Sequence, residues 1–216
     1  MSNPIKVEVW SDVQCPWCYI GKRKFEAGAA EFGGEVDVEY RSFELSPDTP
    51  ADFVGTPADY LSARKGLPPE QVKAMLANVT AIAAQVGLNY DFGAMKQTNT
   101  LKAHELLHFA KSQGLQLEMK ERLLRAYFEE GAHVGDLTQL ADLAAEVGLN
   151  GDEVLRVLET GEFADAVSAD QAQARAYGIQ GVPFFVIDGR YGISGAQEAA
   201  TFAQALRQVS EERVSS

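Results

Sequence analysis

Two cysteines separated by two residues are the part of this sequence best suited to chemistry. Cys15 and Cys18 enclose Pro16 and Trp17, and the chain of 216 residues has no other cysteine. This spacing brings the two sulfurs close enough for a disulfide without distorting the backbone. A Cys-x-x-Cys pair next to a βαβ pattern is typical of thiol–disulfide exchange. We therefore predict a redox-active pair, with Cys15 as the nucleophile and Cys18 as the resolving thiol.

The predicted position of the pair at the start of a helix gives the two thiols different roles. Cys15 is expected to cap the helix, where unpaired backbone N–H groups and the helix dipole stabilise a thiolate and lower its pKa. Cys18 then lies one turn into the helix, beside the core. Pro16 suits the first helical turn, and the side chain of Trp17 provides an apolar surface beside the sulfurs. We expect Pro16 and Trp17 to contact the substrate.

The segments around the pair predict a βαβ unit. Apolar and charged residues alternate from Ile5 to Val9, which indicates a strand. Helical spacing follows the cysteines as far as the pair Gly33-Gly34, which ends the helix. A second alternation runs from Val36 through about Phe43 and predicts another strand. The cysteines therefore lie at the first strand-to-helix turn of a βαβ unit.

The middle of the chain predicts an inserted helical domain, which we place at residues 46–161. A Pro-rich loop covers residues 44–57, and Thr56-Pro57 is a good N-cap with a first helical residue. Helical stripes of apolar residues then follow for roughly a hundred residues. They comprise Val72, Met75, Leu76, Val79, Ala83 and Val86; Ala103, Leu106, Leu107 and Ala110; Leu123, Leu124, Tyr127 and Phe128; and Leu137, Leu140, Ala141 and Ala144.

The last part of the chain returns to an α/β pattern. We predict a helix over about 162–177, a buried strand over Phe184–Ile187, a two-residue turn at Asp188-Gly189, a return strand over 190–193 and a final helix. Together with the first segment this predicts an α/β chain with a thioredoxin fold, in which a large all-helical insertion separates the βαβ and ββα halves. Residues 1–45 and 162–216 form the thioredoxin-like domain in this interpretation.

Gly181-Val182-Pro183 precedes the strand that should lie beside the start of the cysteine helix. In a thioredoxin-like fold this strand is entered through a loop with a cis-proline, which turns the preceding residue's backbone toward the reactive sulfur. A substrate peptide can pair with that backbone. We therefore predict that Val182 and Pro183 bind the substrate.

Several segments carry a family resemblance. The segment from Ser11 to Lys22 resembles the active-site segment of DsbA-like oxidoreductases of the FrnE type. Four further segments resemble that group: Asn99-Thr100 with Ala103-His104, Arg125–Phe128, Gly181–Phe185 and Ser194–Gln197. The resemblance implies a thioredoxin fold with an inserted helical domain and a cis-proline at Pro183. The superfamily also contains 2-hydroxychromene-2-carboxylate isomerases and kappa-class glutathione transferases, in which serine usually replaces the first cysteine. The presence of Cys15 favours redox chemistry.

Composition narrows the set of partners. The formal net charge is −12, which repels nucleic acid and anionic lipid. No basic segment followed by an apolar run opens the chain, and no run of about 18 apolar residues could span a membrane. We therefore expect a cytoplasmic protein that exchanges with protein or small-molecule thiols and disulfides. We predict no cofactor besides the redox-active disulfide, with glutathione as a possible thiol.

A second motif, His104-Glu105-x-x-His108, matches the zinc-binding pattern of metalloproteases. Glu129 or Glu130 could serve as a third ligand, but nothing else around the motif supports zinc. The two cysteines likewise lack the further Cys or His ligands that a zinc site needs. We therefore predict no metal site and place the two histidines on the flank of a helix surface, facing the Cys15 cleft or another helix.

Two other functions, and an inert role for the cysteines, remain open from the residues. The chain could be a glutathione-dependent isomerase or transferase acting on a small aromatic or polyketide-like molecule, in which Cys18 would be dispensable. It could be a redox-sensing or chaperone-like binding module that docks partners on the helical insertion. The cysteines could also be inert core residues.

Overall fold

The computed structural model describes residues 3–215. Within that range the strands are β1 Ile5–Ser11, β2 Val36–Ser42, β3 Phe184–Ile187 and β4 Tyr191–Ser194. These four strands form one mixed sheet in the order β2-β1-β3-β4. β2 runs parallel to β1, whereas β3 is antiparallel to both β1 and β4. The register pairs Trp10 with Arg41 on one side and with Phe184 on the other, so the end of β1 lies at the centre of the sheet.

Nine helices accompany the sheet within residues 3–215. They are α1 Pro16–Phe32, α2 Pro57–Lys65, α3 Pro69–Ala84, α4 Leu101–Ser112, α5 Gln116–Glu129, α6 Leu137–Glu146, α7 Gly151–Thr160, α8 Ala164–Ala176 and α9 Ala199–Ser215. The chain thus has a thioredoxin fold with a long helical segment between β2 and β3, as predicted. The domain limits at residues 46 and 161 stay a prediction.

The local signals in the sequence explain several element ends. Gly33 ends α1 with φ of 75°, a left-handed conformation in which glycine is favoured. Thr56 and Asp59 form a reciprocal capping box at the start of α2. Asp188 and Gly189 both have positive φ in the β3–β4 turn. The return strand β4 begins and ends one residue later than predicted, because Arg190 still belongs to this turn and donates its N–H to the carbonyl oxygen of Ile187.

The described residues form three apolar clusters, and the two larger ones hold most of the fold together. One lies between the sheet, α1 and α9 and includes Val7, Phe25, Phe185 and Phe202. The other joins the helices of the insertion and extends to Val13, Tyr19 and Ile20 beside the cysteines. Its remaining buried members are Val79, Ala83, Leu88, Tyr90, Met95, Ala103, Leu106, Leu107, Phe109, Ala110, Met119, Leu123, Leu124, Ala126, Tyr127, Phe128, Val134, Leu140, Ala141, Leu143, Ala144, Leu149, Val154, Val157 and Leu158. Burial of these side chains fixes the insertion against the start of α1.

Glycine allows α1 to approach its neighbours closely. A Cβ atom at Gly21 would lie 2.8 Å from Cγ of Pro183, and one at Gly28 would lie 2.5 Å from the carbonyl oxygen of Ala199. Both distances are far below ordinary van der Waals contact. The absence of a side chain at Gly21 therefore lets the helix that carries the cysteines pack directly on the Pro183 loop.

Among the described residues, no helix has both the length and the apolar character that a bilayer crossing requires.

Candidate active site

The two cysteines lie where the sequence predicts, at the start of α1. Cys15 is the N-cap residue, with extended backbone, and Cys18 lies in the first turn. The N–H of Cys18 donates to the carbonyl oxygen of Cys15 at 3.0 Å. Both residues are thiols rather than a disulfide, and both are buried. The side chains are therefore close enough to interact and shielded from bulk water.

The loop before β3 meets the first cysteine. The Val182–Pro183 peptide bond is cis, and the Cys15 thiol donates to the carbonyl oxygen of Val182 at 3.6 Å. Pro183 is buried, whereas Val182 is half-buried. The N–H of Gly195 donates to the carbonyl oxygen of Pro183 at 2.8 Å, which ties the loop to the end of β4. The fold thus brings Cys15 and the predicted substrate-binding residues of this loop together.

The two residues between the cysteines face different surroundings. Pro16 is the first residue of α1, and its carbonyl oxygen accepts a 2.7 Å hydrogen bond from the hydroxyl of Tyr90. Trp17 points outward, with 38% of its surface exposed. Trp17 is therefore the member of the Cys-x-x-Cys segment that an incoming molecule meets first.

The two thiols ionise as a pair, and here the structure corrects the expected pKa of Cys15. The hydrogen bond with Cys18, together with burial, raises the pKa of Cys15 well above its usual value. Burial opposes ionisation of Cys18 too, but the hydrogen bond with Cys15, the charge of Lys120 and the hydroxyl of Ser11 outweigh it and lower the pKa of Cys18. The two sulfurs therefore titrate as a pair, in which ionisation of one thiol opposes ionisation of the other.

Asp12 forms a buried polar cluster beneath the cysteine segment. Its carboxylate accepts hydrogen bonds from the N–H of Leu45 at 2.8 Å, the hydroxyl of Thr100 at 2.8 Å, Nε2 of His104 at 3.2 Å and the side-chain amide of Gln14 at 3.2 Å. Burial opposes its ionisation, but these hydrogen bonds outweigh burial and lower the pKa of Asp12. The cluster ties the cysteine turn to the β2–α2 loop and to α4.

The His-Glu-x-x-His motif does not lie at a helix surface, but its two histidines do face the cysteine turn and another helix, as predicted. His104 and Glu105 are almost completely buried, because α4 packs against α5, α7 and α8. His104 binds Asp12, whereas Nε2 of His108 lies 3.0 Å from Asp170 and 3.2 Å from the hydroxyl of Ser42. Within residues 3–215, no group of three or more His, Cys, Asp or Glu side chains is placed to hold a metal ion.

Sequence reasoning missed three residues near the pair, Asp12, Tyr90 and Lys120. Signals for two of them were present. Asp12 belongs to the segment that carries the family resemblance, and Lys120 interrupts the apolar face of α5 one turn before Leu123 and Leu124. A lysine in an apolar stripe indicates a buried cation.

A family comparison covers nearly the whole chain. The family described as DSBA-like thioredoxin domain matches residues 6–207. The chain is 32% identical over 208 residues to the uncharacterized protein YwbO of Bacillus subtilis (strain 168), covering 94% of this chain and 96% of that protein. Its structure is similar to that of a probable DsbA oxidoreductase, SCO1869 of Streptomyces coelicolor, with a TM-score of 0.89, 41% identity and coverage of 96% and 91% of the two chains.

Two further solved structures share the fold at lower identity. A 2-hydroxychromene-2-carboxylate isomerase matches with a TM-score of 0.75 at 13% identity, covering 97% of this chain and 98% of that one. The cytosolic disulfide reductase DsbM of Pseudomonas aeruginosa, solved with glutathione, matches with a TM-score of 0.66 at 20% identity over 98% and 100% of the chains. By its family match and its relatives, this chain belongs to the family of DSBA-like thioredoxin domain proteins.

Proposed function

We propose that this protein is a thiol–disulfide oxidoreductase in which Cys15 attacks the substrate and Cys18 resolves the mixed disulfide. The observation that carries the proposal is the geometry at Cys15, which is the N-cap residue of α1 and whose thiol lies 3.6 Å from the carbonyl oxygen of Val182, with Cys18 in the first turn of the helix. This arrangement supplies a nucleophile, a second thiol within reach and a backbone edge for an extended substrate.

The chemistry proceeds by two exchanges. Cys15 gives its proton to solvent, and its thiolate attacks one sulfur of a substrate disulfide. The S–S bond of the substrate breaks, one half leaves as a thiolate, and the other half stays attached to Cys15. Cys18 then gives its proton to solvent and attacks Cys15, which releases the second thiolate and closes the Cys15–Cys18 disulfide. The substrate is reduced and the dithiol is oxidised; the reverse sequence oxidises a substrate dithiol.

Pro16, Trp17, Val182 and Pro183 are the proposed substrate-binding residues. Trp17 is exposed beside the buried sulfurs, and the half-buried Val182 presents its carbonyl next to Cys15. These features suit an extended apolar segment of a protein, or a small disulfide, that reaches the sulfur along the Val182 loop. Glutathione is a candidate small thiol, since DsbM shares this fold and was solved with it. A cytoplasmic location stays a prediction.

The experiment that tests the proposal compares Cys15→Ser and Cys18→Ser with the parent protein across glutathione redox buffers, read by thiol alkylation and intact mass. The parent should show one two-electron transition between dithiol and Cys15–Cys18 disulfide. Cys15→Ser should lose reductase activity on a model disulfide, because the nucleophile is gone. Cys18→Ser should accumulate mixed disulfides at Cys15, because nothing resolves them.

Other outcomes point to other functions. Full reductase activity in Cys15→Ser contradicts the proposal. Reversible glutathione binding in the parent without a two-electron transition favours the isomerase or transferase, in which Cys18 is dispensable. Oxidation-dependent binding of a protein partner without turnover favours a redox-sensing or chaperone-like module.

A further inference from the structure

Tyr90 joins the helical insertion to the peptide unit between the two cysteines. It lies in the loop that connects α3 to α4, and its hydroxyl donates a 2.7 Å hydrogen bond to the carbonyl oxygen of Pro16. Only 7% of Tyr90 is exposed, so this hydrogen bond is shielded from water and is electrostatically stronger than an exposed one. The insertion therefore holds the Cys-x-x-Cys segment through a single side chain.

The position of the Tyr90 hydroxyl is fixed by its surroundings. The ring stacks on Phe128 of α5, with centroids 4.5 Å apart and planes at 24°. On either side of Tyr90, the N–H of Asn89 donates to the carboxylate of Glu129 at 2.9 Å, and the N–H of Asp91 donates to the carbonyl oxygen of Phe128 at 2.8 Å. The end of α5 thus holds both the backbone and the ring, and the hydroxyl is directed at the cysteine segment.

The carbonyl group that Tyr90 binds belongs to the same peptide unit as the N–H of Trp17. Among the described residues, this N–H donates to no other group. Its neighbours in the first turn of α1 offer no donor, because Pro16 has no N–H and the N–H of Cys18 donates to the carbonyl oxygen of Cys15 at 3.0 Å. Trp17 therefore supplies a free donor at the second helical position, from which an N-cap side chain accepts a hydrogen bond.

The Cys15 sulfur must change its hydrogen-bond partner when it ionises. As a thiol it donates to the carbonyl oxygen of Val182 at 3.6 Å. A thiolate has no proton to donate, so it accepts hydrogen bonds instead, and as the N-cap side chain of α1 it is placed to accept one from Trp17. Because the hydrogen bond with Cys18 and burial raise the pKa of Cys15, the strength of this donor affects how much thiolate forms.

We propose that Tyr90 is a positioning residue that strengthens the N–H of Trp17 as a donor to the Cys15 thiolate. A carbonyl group that accepts a hydrogen bond draws electron density through its peptide unit and leaves the N–H of that unit more positive. The Tyr90 hydroxyl keeps its proton, since burial and the negative charge of the sulfurs raise the pKa of Tyr90 well above the ordinary value. This role rests on the proposed function, in which Cys15 attacks as a thiolate.

The titratable groups that face Cys15 come from four parts of the chain. They are Cys18 of α1, Asp12 of the turn before it, Lys120 of α5 and Tyr90 of the α3–α4 loop. The substitution Cys18→Ser removes the second thiol and leaves Cys15 as the only cysteine of the chain. In this background, a change in thiol ionisation between two variants belongs to Cys15.

The test compares Cys18→Ser with Tyr90→Phe made in the Cys18→Ser protein, by iodoacetamide alkylation across a pH series read by intact mass. Tyr90→Phe keeps the ring and removes only the hydroxyl. The midpoint of the alkylation profile should move to higher pH by about 0.3 to 0.6 unit, because the Trp17 N–H becomes a weaker donor to the thiolate. The limiting rate at high pH should not fall, because the sulfur keeps its exposure.

Tyr19→Phe in the same Cys18→Ser background is the matched control. The ring of Tyr19 is also buried, and its centroid lies 6.3 Å from that of Tyr90. The Tyr19 hydroxyl, however, donates to Glu121 at 2.7 Å and not to the cysteine segment. The midpoint of its alkylation profile should therefore stay within about 0.1 unit of the Cys18→Ser protein.

The outcomes are distinct. A Tyr90→Phe profile that coincides with the Cys18→Ser profile overturns the proposal. A changed limiting rate without a shift of the midpoint also overturns it, because that result reports an altered exposure of the sulfur. A shifted midpoint, in a protein whose parent form does not exchange disulfides, supports the role of Tyr90 and contradicts the proposed function instead.

If the Tyr90→Phe variant does not fold, the amide proton of Trp17 decides the question in the Cys18→Ser protein. Its NMR signal should move downfield as Cys15 ionises, because the N–H then donates to a negative sulfur. The pH midpoint of this movement should equal the midpoint of the alkylation profile. A Trp17 amide signal that does not follow the ionisation of Cys15 overturns the proposal.

Discussion

The two histidines of α4 each contact a buried carboxylate. The two carboxylates have similar hydrogen-bond partners but lie at different places in the fold. His104 binds Asp12, which also accepts a backbone N–H and a hydroxyl. His108 binds Asp170, which also accepts the N–H of Ser42 at 2.8 Å and a guanidinium N–H of Arg41 at 3.1 Å. For both carboxylates, burial opposes ionisation, yet the hydrogen bonds from the histidine and the backbone outweigh it and lower the pKa.

What separates the two clusters is the segment that each one fixes. Asp12 lies three residues before Cys15, and its own carbonyl oxygen accepts the N–H of Cys15 at 3.4 Å. Asp170 lies on α8, and its carbonyl oxygen accepts the indole N–H of Trp10, a residue of β1, at 3.0 Å. Each buried carboxylate–imidazole pair therefore joins separate elements of the fold. Only the Asp12–His104 pair lies next to the sulfurs, so only that pair is expected to affect their chemistry.

The sharpest test of this comparison replaces each carboxylate. Asp12→Asn and Asp170→Asn should each lower the free energy of unfolding by about 3 kcal/mol, because buried donors lose a charged acceptor. Only Asp12→Asn should change the ionisation of the two thiols. Removal of its negative charge favours the Cys15 thiolate, so the pH profile of Cys15 alkylation should move to lower pH.

Urea unfolding and iodoacetamide kinetics measure the two effects on the same samples. An equal shift of the alkylation profile in both variants would contradict the assignment of the Asp12 cluster to the active site. An unchanged stability in either variant would contradict the joining role of that cluster.

Removal of the histidines should have smaller effects that differ between the clusters. His104→Ala should cost about 2 kcal/mol of unfolding free energy, because Nε2 of His104 donates to Asp12 from a completely buried position. His108→Ala should cost about 1 kcal/mol, because its side chain is 10% exposed and Asp170 keeps the permanent cation Arg41. Thermal and urea unfolding of the two variants measure the difference. A larger loss in His108→Ala would reverse this order.

The smallest expected effect is on the free energy of unfolding at acidic pH. The pKa of Asp12 is lowered in the folded state, so its stabilising contribution is complete above the ordinary aspartate pKa near 3.8 and is lost as the pH falls through the lower folded value. The stability difference between the parent and Asp12→Asn should therefore be constant between pH 5 and 7 and shrink below about pH 4. Urea unfolding at a series of pH values measures it. A difference that grows in acid would contradict the lowered pKa.

Local sequence determined much of this protein. The alternation from Ile5 to Val9, the left-handed Gly33 and the Asp188-Gly189 turn act over a few residues, so β1, the end of α1 and the β3–β4 hairpin could be predicted from pattern. The spacing of Cys15 and Cys18 places both sulfurs in one turn of α1 for the same reason.

Only the tertiary structure decided what surrounds those sulfurs. Lys120, His104 and Val182 are each more than 80 residues from Cys15 in the chain, and no periodicity relates positions at that distance. Their placement depends on how the helical insertion packs on the sheet, where burial changes the free energy of every charge. The lowered pKa of Cys18, which replaces the one expected at Cys15, follows from that packing, because the hydrogen bond from Cys15 and the charge of the buried Lys120 outweigh the effect of burial.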